Sequence, residues 1–409
     1  MNDTADLASG RGARRLLIAL IFVGTALNYV DRQVLALLKP MLTAEFGWSN
    51  QDFAHFGSAV NAATIGALLF VGWFVDRFGV RIGYGIAVAV WSAAGMGHAL
   101  AATVSEFVIA RSVLAVAESV NTPAAVKAAA TYLPLKERSL GLGLVNTAPN
   151  IGAILTPLLI PPLALAFGWK SAFVLTGGLG FVWLAFWYFG TQRLVPVAAA
   201  KPSKLDANWG VLLRDRRSWA VIGAKFLTDC VWWFLLFWTP DLFARVFSMD
   251  QASLGWPIAI IFTMAAAGAL TSGALFPRLL ERGMTVNRAR KTSMLFYAVL
   301  ILPIPLALQV ATPLAAALLI GLALFAHQGF STNIFGLAAD TVPVARVASV
   351  MAAGAVAGNL SGLAMNELTG WTLDNAVGYW PMFAIAACAY LAATLYVHLV
   401  LPVIEPAHA

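Results

Sequence analysis

Apolar residues fall along this chain in blocks of about 20, each long enough as a helix to cross a hydrocarbon layer near 30 Å thick. Twelve blocks are present, at 15–38, 53–75, 81–102, 105–132, 139–166, 171–191, 218–241, 253–277, 292–310, 313–338, 347–371 and 378–401. Most contain Gly, Pro, Ser or Thr, which membrane helices tolerate because neighbouring helices and waters satisfy the freed backbone groups. The pattern predicts an all-α membrane protein with twelve transmembrane helices. The N-terminal tail, MNDTADLASGRGARR, has no small-residue cleavage site after a short apolar core, so the first span is expected to be retained.

Composition agrees. Of 409 residues, 60% are hydrophobic and 11% charged, with a mean hydropathy of +0.80, whereas an ordinary globular domain carries roughly 25% charged residues. Both cysteines, Cys230 and Cys388, lie in spans, so no disulfide framework is expected. The net charge of +7 could suggest a nucleic-acid partner, but the basic residues are placed otherwise. Arg11, Arg14, Arg15, Arg77, Arg81, Lys136, Arg138, Arg346 and the clusters at 193–217 and 278–291 fall on one side of the predicted membrane. Only Lys39, Lys170 and Arg245 fall on the other. This asymmetry predicts cytoplasmic termini, with the lipid bilayer and not nucleic acid as the partner surface.

The longest polar stretch, 192–217, separates two groups of six spans. It predicts an N-terminal six-helix bundle over 1–191, a cytoplasmic central loop, and a C-terminal six-helix bundle over 218–409. Weak internal symmetry agrees: GWFVDRFGVR (72–81) and GALFPRLLERG (273–283) each carry a Gly, an Arg five residues on and a later turn Gly. Repeated halves around a midplane site are a transporter architecture.

Charges inside spans are the candidate chemistry, because each costs roughly 2.5–3.5 kcal/mol at the centre of an isolated spanning helix. Asp31 and Arg32 stand side by side in span 1, and Arg111, Glu118 and Lys127 lie in span 4. At 1.5 Å per residue, Asp31 is about 24 Å into its span and Glu118 about 20 Å in from the other face, so both reach one level of the outer half. Arg111, seven residues from Glu118, shares its face and is placed to pair with it. A guanidinium offers a rigid fork matching a carboxylate, which makes Arg32, with Asn28 on its face, the expected anion anchor. Lys225 and Asp229, spaced i to i+4 on span 7, can neutralise each other.

The run Gly72 to Arg81 resembles the loop signature of the major facilitator superfamily, with Gly72, Asp76, Arg77, Gly79 and Arg81 in its positions. There it acts as a gating latch: Gly79 would permit a tight turn, and Asp76 would cap helix 3 or face a neighbouring helix N-terminus. The stretch RSVLAVAESVNTPAAVKAAATYLPLKER is similar to the anion:cation symporter branch, through Arg111, Glu118, Pro123-Ala124, Lys127 and Glu137-Arg138. Asn28, Tyr29, Asp31 and Arg32 on span 1, KFLTDCVWWFLLFWTPDLF on span 7 and AHQGFSTNIFG on span 10 extend the likeness to hexuronate and other sugar-acid symporters. This resemblance implies proton-coupled import of an organic anion, most simply a hexuronate or aldonate, by alternating access. It implies a monomer in a bacterial inner membrane, with no cofactor besides the coupling proton, no metal and no catalytic residue.

By the same resemblance Asp31 and Glu118 carry the proton and Arg32 contacts substrate. When a substrate carboxylate engages Arg32, its hold on the ionised carboxyls weakens and proton uptake is favoured. Trp232 and Trp233 offer aromatic faces for a sugar ring, or for packing and an interfacial belt, and the resemblance places Tyr29 in the substrate site. His327, Gln328, Asn333, Asn146, Asn150 and Asn359 offer polar groups to hydroxyls or to other helices. Two departures loosen the choice of substrate: Pro149 stands in span 5, and span 2 has Asn61 and Thr64 where sugar-acid relatives place an aromatic and a Gln. A smaller carboxylate, or an organic-anion or drug antiporter of the same fold, is the alternative. An enzyme is not expected: there is no phosphate-binding Gly loop followed by Lys, no HExxH pair and no Cys/His cluster.

Overall fold

The computed structural model describes residues 10–134, 137, 147–192, 194–196 and 209–404. The described chain is helical: α1 (Arg11–Phe46), α2 (Asn50–Leu68), α3 (Val71–Gly97), α4 (Val104–Glu118), α5 (Asn121–Tyr132), α6 (Ala148–Phe167), α7 (Trp169–Gly190), α8 (Trp209–Arg214), α9 (Arg216–Val246), α10 (Gly255–Glu281), α11 (Val286–Leu300), α12 (Pro313–Thr341), α13 (Val344–Asp374) and α14 (Trp380–Val400). Among the described residues, ten helices are long and apolar enough to cross a membrane. Predicted spans 2 and 4 are helical but do not meet that measure. The reason is polar content and a break: α2 carries Asp52, His55 and Asn61, and span 4 divides into α4 and α5 at Ser119-Val120. Pro123 in the first turn of α5 has no N–H to donate back across that break.

Local chemistry sets several helix ends. Gly47 closes α1 in the left-handed region, its N–H donating to the Thr43 carbonyl. A capping box starts α4: the Thr103 hydroxyl accepts from Glu106 N–H, and the Glu106 carboxylate accepts from Thr103 N–H at 3.0 Å. Asp215 caps α9 by accepting from Arg217 N–H (2.9 Å). Pro149 falls in the first turn of α6, where a missing N–H costs nothing, so this departure is a helix start.

Contacts divide the chain into two compact units, Met1–Gly47 with Gly66–Ser203, and Trp48–Ile65 with Lys204–Ala409. Most of α2, assigned to the first bundle by sequence, therefore packs in the second unit. There Asn50 donates to Asp374 (2.7 Å) and His55 meets Glu367 (3.1 Å), both on α13. The core of the first unit is Leu-, Val- and Ala-rich with an aromatic stack inside it. Trp183 and Trp187 of α7 stack at 5.1 Å, with Tyr84 of α3 edge-on to both. Trp183 donates to the Leu20 carbonyl of α1 (2.7 Å), which fixes α7 against α1.

In the second unit α9 and α13 are joined by a ladder. Lys225, Asp229 and Trp233, four residues apart on α9, face Gly354, Gly358 and Gly362, four residues apart on α13. A Cβ at Gly354 would stand 2.8 Å from the Lys225 chain, and one at Gly358 would enter the Asp229 carboxylate. Glycine is required at this close approach by space, with no positive φ involved.

Candidate substrate and coupling site

Three helices of the first unit, α1, α4 and α7, bring a charged cluster together. Arg32 Nε donates to Glu118 Oε2 at 3.3 Å; the Glu118 side chain is 2% exposed and that of Arg32 is 24% exposed. The guanidinium also lies 5.1 Å from the centre of the Tyr29 ring. Asn28 Nδ2 donates to the Glu118 carbonyl (3.4 Å), where α4 ends. Glu118 Oε1 is buried with no hydrogen-bond partner among the described residues. Asp31 is buried close to Glu118 and Arg111, and Thr176 of α7 is its hydroxyl neighbour.

Arg111 departs from expectation. Its guanidinium donates not to Glu118 but to the backbone carbonyls of Asp31 (3.2 Å) and Arg32 (3.3 Å). These helical carbonyls retain a second lone pair, and Arg111 uses it to clamp α4 onto the turn of α1 that carries the site. The i to i+7 spacing put Arg111 on the face of Glu118, but the nearer α1 backbone takes its donors. Arg32 consequently pairs with Glu118 and not with its neighbour Asp31.

Behind the cluster is a polar relay absent from the sequence reading. Tyr84 donates to Asn121 Oδ1 (2.5 Å), and Asn121 Nδ2 to the Thr25 hydroxyl (3.4 Å). Asn121, an amide inside the bilayer three residues past Glu118, was the available signal. On α6, Gly152 lets the helix approach Ala26 O and Tyr29 Cβ, and Asn150 is half-buried nearby in sequence. Asn146 lies outside the described residues.

The gating motif is also rearranged. Residues 71–78 are helical, and Gly79, at φ 71° and ψ 157°, is a break inside α3, so the expected loop is a kinked helix. Among the described residues Asp76 caps no helix; it pairs with Lys127 of α5 (2.6 Å), which also donates to the Val75 carbonyl (2.9 Å). Arg81 donates to the Tyr188 carbonyl (3.3 Å) and lies over the Tyr188 ring. Neither Gly72 nor Arg77 makes a hydrogen bond or ion pair with a side chain among the described residues. A Cβ at Gly72 would meet open space, so sterics do not require glycine there.

The second unit holds a separate polar group. Lys225 and Asp229 pair at 2.7 Å, as their spacing predicts. Trp232 stacks on His327 at 5.2 Å, and His327 Nδ1 shares a 2.6 Å hydrogen bond with the Tyr390 hydroxyl. Trp233 stacks on Phe237 in the bed left by Gly362. Gln328 is half-buried. Asn333 is engaged within the protein: its Nδ2 lies within hydrogen-bond distance of the Ser272 and Ser293 hydroxyls and the Gly329 carbonyl, and Oδ1 accepts from Arg290, which pairs with Asp340. Asn359 Nδ2 donates to Ala355 O, while Oδ1 is buried and unbonded. Asn61, fully buried beside Trp233 and Gly362, has neither amide atom bonded.

Comparisons with known proteins agree with this architecture. The hexuronate transporter of Escherichia coli (strain K12) is 27% identical over 97% of this chain and 96% of its own. The D-galactonate transporter of Escherichia coli O6:H1 is 26% identical over 96% and 97%. Among solved structures, a bacterial homolog of the human lysosomal transporter Spinster, inward-facing and occupied, superposes with a TM-score of 0.75 at 16% identity, covering 96% of each chain. The inward-open xylose transporter XylE from E. coli gives 0.74 at 16% identity, covering 94% and 96%. The family model of the Major Facilitator Superfamily matches residues 21–366. This chain, an integral multi-pass membrane transporter and not an enzyme, belongs to the Major Facilitator Superfamily.

Proposed function

We propose that the protein imports a sugar acid, a hexuronate or aldonate, together with a proton by alternating access. The observation that carries this reading is the buried Arg32–Glu118 pair, in which the carboxylate has one oxygen bonded to Arg32 and the other bonded to nothing. Arg32, a quarter exposed, is the member of the pair that an arriving anion reaches. A substrate carboxylate that takes the guanidinium fork removes Glu118's counter-ion while its burial persists, and a desolvated carboxylate without a counter-ion binds a proton. Asp31, close enough to feel the charge of Glu118, is the second proton position. Proton and anion then cross together, with no net charge left behind at the site.

Full-length relatives named for hexuronate and galactonate transport support the substrate class. So does the chemistry of Arg32 and Tyr29, a guanidinium fork beside an aromatic face. The test is uptake of labelled galacturonate, galactonate and a short monocarboxylate into proteoliposomes under an inward proton gradient. Acid-driven accumulation of a sugar acid, lost in Arg32→Ala, is the expected result. Accumulation of a short carboxylate alone, or export of apolar cations, would replace this reading.

A further inference from the structure

The transport reading leaves unused a cavity of about 350 Å³ at the basic end of the second unit. Its walls are Arg214, Arg216 and Arg217 at the elbow between α8 and α9, Thr341 at the end of α12, and Leu401 and Val403 beyond α14. Each wall is held. Asp215, the one acidic residue in the lining, caps α9 through Arg217 N–H, and Trp219 Nε1 donates to the Leu213 carbonyl (2.7 Å), which sets the elbow. Across the cavity, Lys291 donates to the Pro402 carbonyl and Asn287 accepts from Ile404 N–H, so the segment bearing Leu401 and Val403 is pinned to α11.

None of the three arginine side chains has a hydrogen bond or ion pair among the described residues. Three guanidiniums against one carboxylate, itself engaged with a helix N-terminus, leave a strongly positive and unsatisfied cavity. A guanidinium matches a phosphate oxygen pair in geometry and charge. The apolar wall identifies the source of that phosphate. Val403 in the wall exposes 59% of its surface, and Leu213 and Trp219, which flank the arginines in the chain, expose 48% and 44%, as side chains at a bilayer interface do.

We propose that this cavity binds the phosphodiester headgroup of an anionic phospholipid. The arginines take the phosphate oxygens, and the first acyl carbons lie along Leu401 and Val403. The lipid thereby ties the entry of α9, which carries Lys225 and Asp229, to the ends of α12 and α14. This holds whatever substrate the protein carries.

The experiment uses the full chain, purified and exchanged into nanodiscs of phosphatidylcholine alone or mixed equally with phosphatidylglycerol. Thermal unfolding and native mass spectrometry are the readouts. Phosphatidylglycerol should raise the unfolding temperature and remain bound in the gas phase. Each of Arg214→Gln, Arg216→Gln and Arg217→Gln should weaken retention roughly tenfold, the loss of about one hydrogen bond to a charged group. A control with Arg278→Gln, Arg282→Gln and Arg288→Gln together removes as many exposed charges outside the cavity and should keep both effects. The three cavity substitutions together should abolish retention; should that triple variant fold poorly, the single Arg216→Gln carries the test. Equal loss in the control would reduce the effect to overall charge and overturn the proposal. So would an unchanged lipid signal in the cavity variants, or a full effect from inorganic phosphate in pure phosphatidylcholine.

Discussion

Replacing Glu118 by Gln isolates charge from shape. The Gln carbonyl can still accept from Arg32 Nε, and the backbone carbonyl at 118 still accepts from Asn28. What is lost is an attraction across 3.3 Å, worth about 5 kcal/mol at an effective dielectric of about 20. Against it stands the desolvation of a carboxylate 2% exposed, a penalty of several kcal/mol per ion. The two nearly cancel, so fold stability should change by no more than about 2 kcal/mol. Transport should change far more. If one proton accompanies each monoanion, one pH unit supplies about 1.4 kcal/mol, a roughly tenfold concentration ratio. In proteoliposomes with the membrane potential clamped, wild type should approach that ratio of sugar acid inside to outside. Glu118→Gln should reach only equality while keeping counterflow exchange, because Arg32 still receives the anion. Asp31→Asn is the paired variant. Undiminished acid-driven accumulation in both would refute the coupling argument; loss in Asp31→Asn alone would move the essential proton to Asp31.

Other outcomes follow from the same contacts. Tyr390→Phe removes the hydroxyl shared with His327 Nδ1 and donated to the Thr228 carbonyl. The stranded buried imidazole should cost about 1–3 kcal/mol, read as a lower unfolding temperature in detergent. Gly358→Ala drives a methyl into the Asp229 carboxylate; overpacking of this kind costs about 1–3 kcal/mol, and thermal unfolding of Gly273→Ala, where a methyl meets open space, is the control. Asp76→Asn breaks the pair with Lys127, but Asp76 is 57% exposed, so stability should fall by less than about 1 kcal/mol. A drop in uptake rate with unchanged unfolding temperature would mark the pair as conformational; an unchanged rate would remove the gating role.

The sequence by itself determined the class of this protein and the residues that matter most. Hydropathy is a local property, so the membrane spans were legible from block lengths, and ions stranded in apolar blocks named Asp31, Arg32, Glu118, Lys225 and Asp229 without any structure. Spacing along one helix was enough for the Lys225–Asp229 pair. Across helices it anticipated Arg32 with Glu118 but failed at Arg111 and Asn333. Arg111 shares a helix face with Glu118 but donates to α1 carbonyls; Asn333 reads as a free amide yet spends its hydrogen bonds on Ser272, Ser293, Gly329 and Arg290. Most of α2 joins the second unit although the chain order places it in the first. Tertiary structure alone decided these pairings, because an intramembrane polar group takes the nearest available partner in space. One-dimensional spacing does not encode which backbone will pass beside it.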